Sequence, residues 1–274
     1  MKRLIVIVGP TAVGKTAYAV RLAQELGTEI ISCDSRQFYR EMRIGVARPS
    51  DEELASVPHH FIACRSVTEP YNIFEYEQDA LRVIGGLFES HDTVLAVGGS
   101  GLYIDALKKG VSRMPDPTPD LRARLQQMPL EEKRAQLRIL DPEYYMKVDL
   151  RNPVRLQRAL EVCLMTGRPY SEVVASHTPA RRPFDIEVCV LQLPASDLRR
   201  RIDLRVDDMM RQGLLDEVRS LLPYRNLNTL NTVGYRELFP VLDGVVQLED
   251  AVAAIKLNTW HYARKQMTWM RRYL

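Results

Sequence analysis

Hydrophobic and polar positions along the chain first predict a strand, a glycine-rich turn and a helix. Arg3–Val8 reads RLIVIV, an apolar and β-branched run of the kind found in buried strands. Residues 9–16 follow as GPTAVGKT, and residues 17–26 then place apolar side chains at helical spacing. Gly27 stands just beyond them, where a helix commonly ends in a left-handed residue.

The same alternation recurs twice and predicts a parallel sheet. A second apolar run, 29–33, ends at Asp34 and Ser35, and a third, 93–97, ends at the glycine turn 98–101. Strands that alternate with helices form parallel sheets covered on both faces, and ligands bind beyond the carboxyl ends of their strands. The predicted fold class is α/β, a parallel sheet flanked by helices, and the three turns should meet in one cleft.

A helical insertion is predicted in the middle of the chain. Residues 113–120, RMPDPTPD, are rich in proline and read as a boundary, and residues 121–174 are helical and charged. After further prolines, residues 184–193 alternate as a strand that rejoins the sheet. We therefore expect a core domain of residues 1–112 and 184–274 and an inserted helical domain of residues 113–183.

Two more helices are predicted towards the end of the chain. The first covers 204–222, and its buried stripe consists of Met209, Met210, Leu214, Val218 and Leu221. The second covers 249–273 and interleaves Lys256, Arg264, Lys265, Arg271 and Arg272 with Trp260, His261, Tyr262, Trp269 and Tyr273. Basic residues beside aromatic ones provide phosphate contacts and stacking surfaces for unpaired bases, so this helix is a candidate RNA surface. The alternative is a solvated helix face, which is also the favoured interpretation of Arg151, Arg155 and Arg158.

Composition narrows the class of protein. The 274 residues are 46% hydrophobic and 27% charged with a net charge of +3, which is ordinary for a globular protein and excludes a disordered or fibrous chain. There is no apolar run near the ~20 residues that span a bilayer and no secretory signal pattern, so we expect a cytoplasmic protein without membrane contact. The four cysteines are scattered and are predicted to be buried free thiols. The adjacent His59 and His60 lack metal-ligand spacing, which favours packing or hydrogen bonding.

The segment GPTAVGKT fits the phosphate-loop pattern GxxxxGK[ST]. It follows a strand and opens a helix, so its backbone N–H groups and the helix N-terminus can surround phosphate oxygens. Lys15 would add a mobile charge, and Thr16 would offer a hydroxyl to Mg²⁺. The predicted phosphate site consists of Gly9, Pro10, Thr11, Ala12, Val13, Gly14, Lys15 and Thr16. The fold is accordingly expected to be similar to that of P-loop nucleotide hydrolases.

A second candidate group lies after the second strand. Nucleotide hydrolases place a magnesium-binding aspartate at the end of an apolar strand, but the strand 93–97 ends in glycine. Only Asp34 occupies a comparable position, where it could serve a metal or act as a general base. A turn or helix cap is the structural alternative for Asp34 and Ser35. Because Asp34 is the single candidate carboxylate, an energy-transducing ATPase is disfavoured. Transfer of a group from a phosphorylated donor is the remaining type of reaction.

These motifs, taken in order, resemble the tRNA dimethylallyltransferase family, also called tRNA isopentenyltransferases or IPP transferases. The resemblance extends over almost the whole chain. It is carried by GPTAVGKT (9–16), DSRQFY (34–39), MRIGVARP (42–49), PHHF (58–61), GGSGLY (98–103), RLQRALEV (155–162), RVDDMMRQGLLDEV (205–218), TVGYRE (232–237) and YARKQMTW (262–269).

The resemblance implies an activity and a set of site residues. Members transfer a dimethylallyl group from dimethylallyl diphosphate to N6 of adenosine 37, next to the anticodon, in tRNAs that read codons starting with U. By resemblance, Asp34 accepts the proton from N6, Thr16 and Arg205 assist departure of the diphosphate, and Mg²⁺ is the cofactor, held at Thr16. The tRNA anticodon stem-loop would contact Asp34, Ser35, Arg36, Gln37, Ser100, Arg122, Val154, Arg155, Leu156, Gln157 and Arg158. The family also implies a monomer whose inserted domain clamps the RNA.

Three other functions use the same residues. A P-loop kinase of a small metabolite would hold ATP in the loop, and a related prenyltransferase would act on free adenine nucleotides. A nucleotide-switched RNA-binding protein would have no transfer activity. The helical insertion and the basic last helix favour tRNA over a small acceptor, and the lack of a partner to position water near Asp34 disfavours a switch.

Overall fold

Five strands form one parallel sheet in the order β3-β2-β4-β1-β5. The computed structural model describes residues 2–176 and 178–274. The strands are β1 (Arg3–Val8), β2 (Ile30–Ser32), β3 (His59–His60), β4 (Thr93–Gly98) and β5 (Asp185–Val190). β1 lies between β4 and β5, with Ile5 opposite Leu95 on one side and Glu187 on the other. The predicted α/β fold class is confirmed.

The helices account for most of the remaining described residues. They are α1 (Lys15–Leu26), α2 (Asp51–Ser56), α3 (Ile73–Ser90), α4 (Gly101–Lys109), α5 (Pro119–Gln127), α6 (Leu130–Leu140), α7 (Pro142–Lys147), α8 (Pro153–Thr166), α9 (Tyr170–Ala175), α10 (Ala195–Arg211), α11 (Leu214–Ser220), α12 (Phe239–Leu242) and α13 (Leu248–Met270). Short 3₁₀ helices cover Leu222–Tyr224, Asn228–Leu230 and Arg271–Tyr273. No helix in the described part of the chain is both long enough and apolar enough to span a bilayer.

The alternation of side chains along β1 gives the sheet a core on each face. Leu4, Val6 and Val8 belong to the larger cluster, which includes residues of α3 and α4. Ile5 and Ile7 point to the opposite face and pack with Ala19, Val20 and Ala23 of α1. Because both faces are covered, the strand is apolar at every position from Leu4 to Val8 rather than at alternate positions.

The chain divides into two compact units. One consists of the residues up to Lys109 together with Arg181–Leu274, and the other is Gly110–Ala180. In the second unit all the regular elements of the described residues are helices, and they have their own core around Leu125, Leu137 and Leu160. These bounds fall slightly before the proline-marked limits 113 and 183.

The predicted helix 204–222 is wrong in its bounds. The structure has two helices there, because α10 ends at Arg211 and α11 begins at Leu214. Gly213 separates them with a φ of 96°, a left-handed conformation that a glycine adopts without steric cost. Leu214, Val218 and Leu221 are buried as predicted, whereas Met209 and Met210 are only partly buried.

The cysteines and the histidine pair differ in how well the sequence predicted them. Cys33 and Cys163 are buried, Cys189 is partly buried, and all four thiols are free, but Cys64 is exposed, which corrects the prediction for that residue. His59 and His60 form the short strand β3 and bond to Val57 O and the Glu29 carboxylate. The hydrogen-bonding interpretation of the pair is therefore confirmed.

Candidate active site

The loops that follow β1, β2 and β4 meet at the carboxyl ends of the strands. Gln266 of α13 joins two of them, since its side-chain oxygen accepts the Thr11 N–H at 2.8 Å and its amide donates to Gly99 O at 2.9 Å. The Ser35 N–H donates to Ser100 Oγ at 3.3 Å, which joins the loop after β2 to the loop after β4. The prediction that the three turns share one cleft is confirmed.

Two glycines, the last residue of β4 and the residue that follows it, are required by close contacts. A Cβ at Gly98 would lie 2.7 Å from the backbone of Cys33 at the end of β2. A Cβ at Gly99 would lie 2.1 Å from the Gln266 side-chain nitrogen. The glycines thus allow neighbouring chain segments to approach, rather than supplying an unusual backbone angle.

We expect Gln266→Leu to lower the free energy of unfolding by about 1–3 kcal/mol, the cost of leaving buried polar groups without partners. The side chain is only 6% exposed, so water would not replace both of its bonds. Urea unfolding measures the change. Gln24→Leu, on the exposed side of α1, is the matched control and should shift stability by no more than about 0.5 kcal/mol. Equal stability of wild type and Gln266→Leu would contradict the bridging role.

The phosphate loop curls around the ammonium group of Lys15. Lys15 Nζ donates to the carbonyls of Gly9 and Pro10, each at 2.9 Å. Ala12 and Gly14 have φ values of 66° and 102°, which turn the backbone between β1 and α1. Burial lowers the pKa of Lys15 to about 8, with Asp34 opposing and Arg205 reinforcing that shift. The group is thus mainly protonated at neutral pH, and an anion in the loop would stabilise its charge.

Two arginines of α10 reach the same loop. Arg205 donates to Thr11 Oγ1 at 3.3 Å, and Arg201, one turn earlier, donates weakly to Val13 O at 3.5 Å. Burial lowers the pKa of the Arg205 guanidinium and Asp34 raises it, but an arginine stays charged in either case. Arg201 was not among the predicted site residues, although its spacing of four from Arg205 puts both on one helix face.

Asp34 is the carboxylate that faces these cations. Its Oδ1 accepts the Arg36 N–H at 3.0 Å, and its own N–H donates to Ser32 Oγ at 3.3 Å. Its charge raises the pKa of both Lys15 and Arg205, so electrostatically it belongs to the phosphate-loop cleft. The turn that was the structural alternative for Asp34 is present. The same turn holds the Asp34 carboxylate on the side of the phosphate loop.

Tyr262 is a cleft residue that the sequence did not reveal as one. Its hydroxyl bonds to the side chains of Ser100 and Gln266. Burial of this hydroxyl end, with a contribution from Asp34, raises the pKa of Tyr262 to about 12. Tyr262 lies four residues before Gln266, so both are on one face of α13. The sequence alone does not show that this face packs on the loops.

The segment 34–37 is partly committed to contacts within the protein. The Gln37 side-chain amide donates to Val46 O at 3.3 Å and Ala47 O at 3.1 Å, and its oxygen accepts from Ser32 Oγ at 3.3 Å. Ser35 Oγ lies 3.4 Å from Ser100 Oγ. The predicted RNA contacts of Ser35, Arg36, Gln37 and Ser100 remain predictions.

The predicted RNA residues of the helical unit differ in accessibility. Arg122, Val154 and Arg155 are exposed, whereas Gln157 and Arg158 bond to Glu161. Leu156 is fully buried in the core of this unit because α8 turns that face towards α5 and α6. The Leu156 side chain is therefore part of this core, and its predicted RNA contact remains a prediction.

Several cations and aromatic side chains of the basic last helix contact other parts of the protein. Lys256 pairs with Asp207, and Arg272 pairs with Asp105. Trp260 packs against the cluster around Leu198, and the Trp269 indole donates to Asp105. Arg264, Lys265 and Arg271 remain exposed, and the first two line a shallow surface depression with His261 and Thr268. The aromatic residues Trp260 and Trp269 therefore serve packing first.

The donor set can be compared with the needs of Mg²⁺. Among the described residues, no cluster of three or more His, Cys, Asp or Glu side chains could hold a metal alone. Mg²⁺ prefers one or two protein oxygens together with substrate phosphates and water. Thr16, at the start of α1 beside the loop, fits that limited demand.

Comparisons with known proteins agree with one another. Residues 37–273 match the IPP transferase family. The chain is 46% identical to tRNA dimethylallyltransferase 1 of Bacteroides thetaiotaomicron over 276 residues, covering 99% of this chain and 89% of that protein. It is 47% identical to tRNA dimethylallyltransferase 1 of Porphyromonas gingivalis over 273 residues, with 98% and 91% covered.

Solved structures give the same answer for the fold. The tRNA isopentenylpyrophosphate transferase of Bacillus halodurans matches with a TM-score of 0.72 and 33% identity, covering 99% of this chain and 87% of that one. A eukaryotic dimethylallyltransferase acting on tRNA matches with a TM-score of 0.81 and 27% identity, covering 98% and 70%.

Proposed function

Because this chain belongs to the IPP transferase family, we propose that it transfers a dimethylallyl group from dimethylallyl diphosphate to N6 of adenosine 37 in tRNAs that read codons starting with U. The observation that carries the proposal is the shared cleft of the phosphate loop and Asp34. The loop gathers Lys15 and Arg205, and the charge of Asp34 acts on both. A donor diphosphate and an acceptor amine therefore have adjacent places.

The donor side neutralises a leaving group. The amine N6 forms a bond to C1 of the prenyl group while the C1–O bond breaks, and the electron pair of that bond leaves with the diphosphate. Lys15 and Arg205 face the oxygens on which this negative charge grows, and such preorganised electrostatic stabilisation is usually the largest catalytic contribution. Thr16 is the residue that would hold Mg²⁺, which when bound supplies further positive charge at the diphosphate oxygens.

The acceptor side removes a proton. Attack leaves N6 with a positive charge, and Asp34 is placed to accept the proton as a general base. The turn 34–37 fixes the direction of the carboxylate through the Arg36 N–H. The target adenosine must leave the stack of the anticodon loop before N6 can enter a cleft at the sheet edge.

The tRNA is expected to be bound by exposed cations of both units, each acting on phosphates. In the helical unit these are Arg122 and Arg155, and in the sheet unit they are Arg264 and Lys265. Phosphate contacts of this type position RNA without reading its sequence.

The experiment that tests the proposal supplies radiolabelled dimethylallyl diphosphate and Mg²⁺ with an unmodified tRNA containing adenosines 36 to 38. We expect label in that tRNA and none in the same tRNA with guanosine at position 37, because guanosine has no N6 amine. Label in AMP or ADP alone would instead identify an adenine-nucleotide prenyltransferase. Consumption of ATP without prenyl transfer would identify a small-metabolite kinase.

A further inference from the structure

Glu217 of α11 collects four hydrogen-bond donors on one carboxylate. Its Oε2 accepts the backbone N–H of Arg43 at 3.0 Å and of Ile44 at 2.7 Å, and its Oε1 accepts the Gly45 N–H at 3.0 Å. The Tyr235 hydroxyl donates to the same Oε1 at 2.6 Å. Hydrogen bonds to a charged acceptor are roughly twice as strong as neutral ones, so this carboxylate fixes the start of the loop 43–47 firmly.

The loop 43–47 has a conformation that needs such an anchor. Ala47 has a φ of 47°, in the left-handed region that is sterically unfavourable for a residue with a side chain. Gly45 lies directly against Tyr235, since a Cβ there would come within 2.5 Å of the tyrosine ring. Strained backbone persists where its surroundings over-determine it, and here Glu217 and Tyr235 do so.

The strained part of the loop is the part that reaches the active site. The carbonyls of Val46 and Ala47 both accept from the Gln37 side-chain amide. The Gln37 backbone N–H in turn donates to Asp34 O at 3.2 Å. A continuous series of hydrogen bonds therefore runs from Glu217 through the loop and Gln37 to the residue that faces the phosphate loop.

From this series we infer that Glu217 is a positioning residue for the acceptor side of the reaction, acting on Asp34 through Gln37. The inference rests on the proposed function, since it concerns the orientation of the proton acceptor towards N6. Transfer rates depend steeply on such alignment, and a displacement of about 1 Å can cost about 10²-fold. The phosphate loop is built by other contacts, so the donor side should not depend on Glu217.

A double-mutant cycle tests this route. Glu217→Gln keeps the shape of the side chain but turns an NH₂ group towards backbone donors, and Gln37→Ala removes the next link. We expect each single change to lower kcat by about 10- to 100-fold while the KM for dimethylallyl diphosphate and the Kd for inorganic pyrophosphate stay within about twofold. The double variant should be no slower than the slower single variant, because both act on one route.

Two further variants separate positioning from general damage. Glu41→Gln is the matched control: Glu41 anchors residues 66 and 67 by accepting from Ser66 Oγ at 2.7 Å and the Val67 N–H at 3.0 Å. It should keep the wild-type kcat. Tyr235→Phe keeps the ring against Gly45 and removes one donor, so it should lower kcat less than Glu217→Gln and should remain folded if the latter does not.

Independent, multiplicative losses in the double variant would overturn the inference. A rise in the Kd for pyrophosphate in parallel with the loss of kcat, or an equal loss in Glu41→Gln, would also overturn it. Failure of the proposed function is distinguishable, since wild type itself would then leave tRNA unlabelled.

Discussion

Asp34→Asn should reduce kcat by about 10²–10⁴-fold, the range that a positioned general base contributes. The amide keeps the size of the side chain and can still accept the Arg36 N–H, so the turn should survive. It cannot take a proton from N6, and the reaction loses its acceptor. Single-turnover labelling of the tRNA measures the loss, and a binding titration of the same tRNA should give a Kd within a few-fold of wild type.

Asp92→Asn is the control for removal of one negative charge. Asp92 pairs with Lys2 at the opposite end of β1 and is well exposed. This variant should keep wild-type kcat and wild-type tRNA affinity. A wild-type kcat in Asp34→Asn would remove Asp34 from the chemistry, and the shared cleft would then need another proton acceptor.

Lys15→Met should lower kcat/KM for dimethylallyl diphosphate by about 10²–10³-fold, comparable with removal of one preorganised donor from a transition-state site. Methionine approximates the length and volume of the lysine stem, but the two bonds to Gly9 O and Pro10 O and the charge are lost. Initial rates at varied dimethylallyl diphosphate measure the effect. The affinity for tRNA should change little, because Lys15 is enclosed by the loop.

Lys2→Met provides the comparison for loss of a lysine just before β1, away from the phosphate loop. It should retain wild-type rates. If Lys15→Met had normal kcat/KM and merely a lower melting temperature, the ammonium group would be a brace for the loop carbonyls and not a contact of the diphosphate.

Short-range sequence patterns were enough to predict the sheet, the phosphate loop and the position of Asp34. The run Arg3–Val8, the loop after it and the residues after β2 and β4 lie at the strand ends where parallel topology must bring them together. The prediction that Lys15 and Asp34 share a cleft followed from that rule alone.

The remaining parts of the site depend on how distant helices dock. Gln266 and Tyr262 enter the cleft only because α13 packs beside the loops, and nothing local in their sequence specifies that contact. Leu156 shows another limit of local patterns: a motif that resembles an RNA-binding segment contains a residue whose side chain is turned into the core. The Gly213 break was visible as a glycine, but a helical hydrophobic pattern on both sides concealed it.

The order of the sheet and the bridge from Gln266 have a consequence for synthesis on the ribosome. β1 is translated first, yet one of its edges stays uncovered until β5 has been made, and the glutamine that joins its loop to the turn after β4 comes later still. A nascent chain halted before residue 262 would contain every strand and the complete phosphate loop. It would lack Gln266, whose side chain joins that loop to the turn after β4. Catalytic competence should therefore arise only after α13 has been translated, when every strand of the sheet has already been made.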